Sequence, residues 1–322
     1  MNKMLLVILL ILYTLFSFSQ EQVYQTIVPG EIDVNSFVVS PSGNYIMACN
    51  QNNVEIREVF SGKLVETLAR VNLETIQTIA LSPDSTILAT GSINGLLSIY
   101  SLGSKKFNEV RLPGKKITAL EIILPEKMIV AGTYTGEVHF IDSMGNILES
   151  VAAHEDVVSS IDICNKNQLM VSGGFDGKIN IFRLKKGFTF ETIFKKNRVC
   201  RDLEISNSCT KLMAAYDNGK VYSWNIKYED FLEKDQTHKF KTWITGLDFS
   251  DKEVSSWAIA TAGGYIYTRT WRSEYHLELP EVINHLHLIE NDNGFIYIVF
   301  NINDKGVYLL PASKMNLKKL EK

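Results

Sequence analysis

Helical periodicity and interdomain linkers are missing from this 322-residue sequence. Outside the first twenty residues no segment repeats its apolar positions at helical spacing, which argues against a helical bundle. No Gly/Ser-rich or Pro-rich stretch divides the chain, so nothing marks a boundary between separate domains. An excess of one charge is missing too: 33 Lys and Arg oppose 36 Asp and Glu, for a net charge of -3 and a pI near 6.1. That removes any overall electrostatic basis for binding nucleic acid. The spacings of common catalytic motifs are also absent: no G-x-S-x-G elbow, H-E-x-x-H, phosphate-cradling loop or C-x-x-C occurs. This weighs against an enzyme, although a Ser-His-Asp set gathered from distant segments would leave no such trace.

What is present is ordinary globular material, 45% hydrophobic and 21% charged, enough for a large core. The first 19 residues differ. Lys3 gives a positive start, residues 4–16 are apolar but for Tyr13 and Thr14, and small Ser17 and Ser19 follow. This predicts a signal peptide over 1–19 and an exported chain, periplasmic or secreted, with no stable membrane span after cleavage. The alternative is an uncleaved anchor, because the run falls short of the roughly 20 residues a spanning helix needs. The first cysteine is Cys49, so no lipid-attachment site lies near the cleavage region.

Export would allow the four cysteines, Cys49, Cys164, Cys200 and Cys209, to pair. Their repeat positions argue against it. Cys164 ends one inner strand and Cys200 begins the next, an offset of roughly 20 Å in parallel strands. Cys164 with Cys209 is the least implausible pair, and buried free thiols are the expectation.

One turn signal recurs. Asp176-Gly177 precedes the alternating strand Lys178-Ile179-Asn180-Ile181-Phe182, and similar turns fall at Asn94-Gly95, Thr135-Gly136, Asn218-Gly219 and Gly263-Gly264, with looser copies at Gln51-Asn52 and Asp304-Lys305. The second turn positions are spaced by 43, 41, 41, 42, 45 and 41 residues. A second turn keeps step with the first, at Ser40-Pro41-Ser42-Gly43, Ser82-Pro83-Asp84 and five further points through Asn291-Asp292-Asn293-Gly294. Between them each unit has room for four strands. Seven such units, buried on both faces by their neighbours, predict an all-β, seven-bladed β-propeller of four-stranded antiparallel blades over residues 20–322.

These turns resemble the WD-repeat β-propeller family. Ser40-Pro41-Ser42-Gly43 and Ser82-Pro83-Asp84 match its S-P-D-G element, Ser172-Gly173-Gly174-Phe175-Asp176-Gly177 its S-G-S-x-D-G element, and Trp224 its third-strand tryptophan. The resemblance covers residues 23–322 and implies architecture more than activity. Blade 4 comes nearest to the family's structural network, with His154, Ser172 and Asp176, but carries Phe182 in place of the tryptophan. Elsewhere Asn94, Thr135 and Asn218 replace the aspartate. The resemblance also implies that an N-terminal strand completes the last blade. Residues 23–28 are the expected strand, with residues 314–322 as the alternative.

Aligned by the repeat, the inner strands place Val38, Ala80, Glu121, Asp162, Glu204, Asp248 and His287 at one position facing a central channel. Four carboxylates on consecutive blades could ligate a hard cation such as calcium. The competing and favoured reading is structural, with polar residues satisfied in a wet channel. His285 and His287 alternate on one face, but two residues do not make a zinc site. On the face formed by the loops entering the inner strands lie Lys115, Lys116, Lys195, Lys196, Arg198, Lys239 and Lys241, interleaved with Tyr134, Phe175 and Tyr216. Aromatic anchors among cations suit docking of an acidic protein partner. The expected function is therefore a non-enzymatic exported scaffold without a cofactor, a monomer or part of an envelope complex. A lactonase-like, metal-dependent propeller hydrolase is the alternative.

Overall fold

Apolar alternation bounded by tight turns makes each run of strands pair with its sequence neighbour. In the computed structural model the result is seven four-stranded antiparallel sheets. The structure describes residues 24–30, 34–113, 116–227, 231–250, 256–269, 273–291, 293–302 and 305–315. The predicted signal segment lies outside the described residues. Blade 4 shows the pattern: inner strand Val158–Cys164, then Leu169–Gly174, Lys178–Arg183 and the outer strand Phe190–Lys195. The turn between its second and third strands needs Gly177, whose φ is +77° and whose added Cβ would strike the carbonyl of Lys196.

The ring closes as expected from the N-terminus. Gln25–Val28 pairs antiparallel with Gly306–Pro311 as the outer strand of blade 7, and Ile27 and Val28 are buried there. This removes the strand edges that an open ring would expose. Of the alternative closing strand, residues 314–322, Lys314 ends a short 3-10 turn and residues 316–322 lie outside the described residues.

The core lies between blades. Val171, Ile179 and Ile181 of blade 4 pack with Leu203, Leu212 and Trp224 of blade 5 in one such seam. The second strands of blades 2, 3 and 4 are buried along their whole length, which explains why their alternation is hidden by apolar residues on both faces. Gly132 on one such strand leaves space filled by Val158 of the next blade; a Cβ there would come within 2.6 Å of it.

Cys164 and Cys209 are joined by a disulfide, with Cα atoms 5.6 Å apart. This corrects the expectation of free thiols for those two. Cys209 occupies the turn after the inner strand of blade 5, which brings it alongside the end of the inner strand of blade 4. Cys49 and Cys200 are buried free thiols, and burial raises the pKa of both.

Candidate interaction site

The inner strand of a blade is an edge strand: one side pairs with the second strand, while the other faces the central channel. All seven inner strands also shift register near their start, for example between Val158 and Ser160 and between Cys200 and Asp202. N–H groups turned away from the ladder need another acceptor. Side chains of the preceding blade supply it. Asp162 accepts the N–H of Ile205 in blade 5, Asp202 that of Leu247 in blade 6 at 2.9 Å, and Asp248 that of Leu288 in blade 7 at 2.7 Å.

The channel holds a cavity of about 420 Å³ whose lining includes Glu121, Asp162, Asp202, Glu204, Asp248, His285 and His287. Of the aligned position only Ala80 is missing from that lining. Burial, then the charge of Asp162, pushes Glu121 up to about 8. Burial raises Asp202 to about 7 against hydrogen bonds from Ser160, Leu247 and Leu203. Burial and the neighbouring carboxylates Asp162, Asp248 and Asp202 hold Glu204 well above its ordinary range, with a hydrogen bond to Asp162 acting in the same direction. Burial and His287 depress His285 to about 4, and His287 Nδ1 lies 2.7 Å from Asp248 Oδ2.

The arc is thus real, but its aspartates serve as acceptors for strand edges. Among the described residues no three His, Cys, Asp or Glu side chains are grouped so as to hold a metal ion. The calcium arrangement weighed for Glu121, Asp162, Glu204, Asp248 and His287 is not formed. The alignment missed Asp202, which lies two residues before the shared position. Its cross-blade role depends on the register of the neighbouring blade.

His154 is structural, as the blade 4 pattern implied. Its Nδ1 donates to Asp176 at 3.0 Å, and its Nε2 accepts the Ser172 hydroxyl at 2.8 Å. Burial would raise Asp176, but bonds from His154, Glu155 and Lys178 outweigh it and hold the carboxyl down at about 2. Asn180, rather than an indole, approaches His154 Nε2 at 3.4 Å and donates to the Ala153 carbonyl at 2.6 Å. Phe182 is buried beside this network without a polar role.

On the loop face, a groove of about 350 Å³ opens at the channel mouth. Lys116, Tyr134 and Phe175 line it, together with Arg201, Trp243, Thr245 and Asn284. Tyr134 and Trp243 are 60% and 52% exposed. The Arg201 guanidinium lies 5.3 Å from the centre of the Phe175 ring. The other sequence candidates are not in this lining. Exposed Lys196 lies over Phe194 and Tyr222, at 5.3 and 5.8 Å, and Arg198, Lys239 and Lys241 are exposed elsewhere. Tyr216 is a correction: it is 1% exposed, fills the seam between blades 4 and 5, and directs its hydroxyl to the Gly177 carbonyl. It directly precedes the turn and still belongs to a buried second strand. Lys115 and the side chain of Lys195 lie outside the described residues. Arg201 and Trp243 were missed, although both stand beside inner-strand starts, where the repeat alignment points to the mouth.

Two stretches, residues 62–101 and 145–183, match the model of the WD domain, G-beta repeat. Each runs from one outer strand through the first three strands of the next blade. The chain is a WD-repeat β-propeller. This WD-repeat chain is 21% identical over 253 residues to the COMPASS component SWD3 of Saccharomyces cerevisiae, covering 73% of the chain and 80% of that protein. It is 26% identical over 157 residues to WD repeat-containing protein SL1-17 of Schistosoma mansoni, covering 48% of the chain and 50% of that protein. The chain therefore aligns with about half the length of the schistosome relative. The RRP9 WD40 repeats superpose with a TM-score of 0.73 at 14% identity, covering 92% of this chain and 98% of theirs, a likeness of fold. U3-55K superposes with the same score over 90% of this chain and 99% of its own.

These relatives suggest a protein-interaction scaffold. They also correct the expected location: SWD3, RRP9 and U3-55K are intracellular nuclear proteins, which overturns the assignment to the periplasm or the medium. Among the described residues no helix is long and apolar enough to cross a membrane.

Proposed function

We propose that this WD-repeat propeller is a non-enzymatic scaffold that docks an acidic protein segment in the groove at its channel mouth. The observation behind this reading is the placement of Tyr134, Phe175 and Trp243 around one concavity with Lys116 and Arg201. Exposed rings supply apolar contact area at low entropic cost, and the two cations favour a carboxylate laid across them. Lys196, Arg198, Lys239 and Lys241 extend the positive face and steer encounter rather than set affinity.

The test is affinity capture from lysate with the full chain, compared with Trp243→Ala and Arg201→Glu. Loss of a central aromatic anchor typically costs about 2 kcal/mol or more of binding, roughly a 30-fold weakening. A partner set captured by the parent and lost from both variants, with thermal unfolding unchanged, is expected. Recovery of the same set by both variants refutes the groove.

A further inference from the structure

The turns between third and outer strands lie at the end of each blade opposite the mouth groove, and blades 1–3 expose apolar side chains there. Alternation along a strand accounts for one exposed apolar member of a consecutive pair, not for two. The outer strands of blades 1 and 3 nevertheless begin with Leu64-Val65 and Ile147-Leu148, all exposed. Near the start of the outer strand of blade 2, Phe107 is exposed as well, and Met144, in the turn before the outer strand of blade 3, is 69% exposed.

Contacts between blades make these residues one band: Lys105 of blade 2 pairs with Glu66 of blade 1, and Asn108 of blade 2 donates to the Ser143 carbonyl of blade 3 at 3.1 Å. The two ends of the band differ in shape. Between blades 1 and 2 lies a groove of about 350 Å³, walled by Tyr45, Met47, Ile56 and Val65 of blade 1 and Leu102 of blade 2, with three serines and no charged side chain. At the blade 3 end stand the exposed side chains of Met144 and Leu148, and Phe107 of blade 2 lies between the two ends. Charge divides the same way. Lys63 stands beside Leu64 at the groove end, and Glu149 beside Leu148 at the other; both are exposed and, among the described residues, in no ion pair.

We propose that a second copy of this chain covers the band, related to the first by a two-fold axis at Phe107. Such a contact needs a surface that complements itself, so that when one residue meets another the reverse pair also forms. Rotation about Phe107 exchanges the blade 1 and blade 3 ends. It lays Met144 and Leu148 of each copy against the other's groove, sets each Lys63 against a Glu149, and brings the two Phe107 rings together. A flexible thioether suits an uncharged groove of irregular outline. With exposures from 40% at Ile147 to 69% at Met144, the band offers on the order of 700 Å² per copy, close to the roughly 800 Å² per partner of a standard interface. The mouth groove of Tyr134 and Trp243, at the other end of the blades, stays open on both copies.

Sedimentation equilibrium of the full chain tests this. The parent should form a dimer, and Leu148→Glu, at an exposed site, should weaken it about tenfold or more with an unchanged circular dichroism spectrum. Lys63→Glu and Glu149→Lys should each weaken it about threefold or more, because each sets like charges together twice across the axis. An equimolar mixture of those two variants should re-form the dimer, since every facing pair is then of opposite charge. A parent that stays monomeric at about 100 μM, where interfaces of this size are normally occupied, refutes the proposal. So does an assembly other than a dimer, a dimer that Leu148→Glu or the single charge reversals leave unchanged, or a mixture that associates no better than either variant alone.

Discussion

The carboxylate of Asp202, on the inner strand of blade 5, accepts the backbone N–H of Leu247 on the inner strand of blade 6 at 2.9 Å. It also takes the Ser160 hydroxyl of blade 4 at 3.0 Å, so one side chain joins three blades. Replacing it with alanine strands a buried amide and leaves the Ser160 hydroxyl only its longer contact with the Leu203 carbonyl at 3.3 Å. Asp202→Ala should cost about 2–3 kcal/mol, read as a lower urea midpoint at unchanged slope. Glu204→Gln, which removes a carboxyl whose pKa burial and neighbouring acids raise well above its ordinary range, should cost less than about 1 kcal/mol.

The channel acids give stability a pH dependence whose sign is set by raised folded pKa values. Glu121, near 8 in the fold against an ordinary 4.5, and Asp202, near 7 against 3.8, keep protons that the unfolded chain has released. Their contribution is present in acid and is lost as pH rises through those folded values. His285 acts oppositely, since its depressed pKa near 4 favours folding above about 6.5 and loses that contribution as pH falls. Between about pH 6.5 and 8 the carboxyls dominate, so the thermal midpoint should fall as pH is raised. Glu121→Gln should flatten that slope, and a midpoint that rises across this window contradicts the assignment.

In blade 4, His154 sits between Asp176 and Ser172. Truncating it leaves both partners buried without their bond. His154→Ala should cost about 3 kcal/mol in chemical denaturation. Asp176, held at about 2, contributes stability above its ordinary 3.8 that disappears as pH falls toward 2. The acid-unfolding curve of His154→Ala should therefore be shallower there than the parent's.

Gly177 is replaceable only at the expense of the turn. Its φ of +77° and the nearby Lys196 carbonyl both oppose a side chain. Gly177→Ala should lower stability by about 2 kcal/mol, whereas Gly103→Ala, with nothing within 4 Å of its added Cβ and no left-handed φ, should cost little.

The Cys164–Cys209 link spans 45 residues of chain. Constraining a loop of that length in the unfolded state contributes about 2–4 kcal/mol. Cys164→Ser with Cys209→Ser should unfold at correspondingly lower denaturant, and a reducing agent should shift the parent to match. Cys49→Ser, which leaves the link intact, should respond to the reductant as the parent does.

Much of the architecture was legible because turns are local. Asn-Gly and Asp-Gly pairs need only their own backbone geometry, so their spacing revealed seven blades, while the closing strand at residues 23–28 was expected from the family resemblance and its β-rich composition. The site was less legible. Tyr216 stands next to a turn on the loop face, yet its strand position buries it between Phe194, Tyr222 and the Gly177 turn of the preceding blade. Cys209 was the least implausible partner for Cys164, yet free thiols were the expectation, because only the curl of the turn after Ile205 brings the two together. Trp243 and Arg201 carry no motif; they matter because separate blades bring them to one mouth.

By itself, then, the sequence determined the number of blades, their four-strand content and the acidic character of the channel, since each follows from short-range periodicity and residue type. Only the tertiary structure decided what the carboxylates do. The donor to each of these carboxylates is a backbone amide some 40 residues away, and whether Asp202 meets Leu247 or a metal depends on the register and bulge of a neighbouring blade. Those are properties of blade packing, which no single repeat encodes.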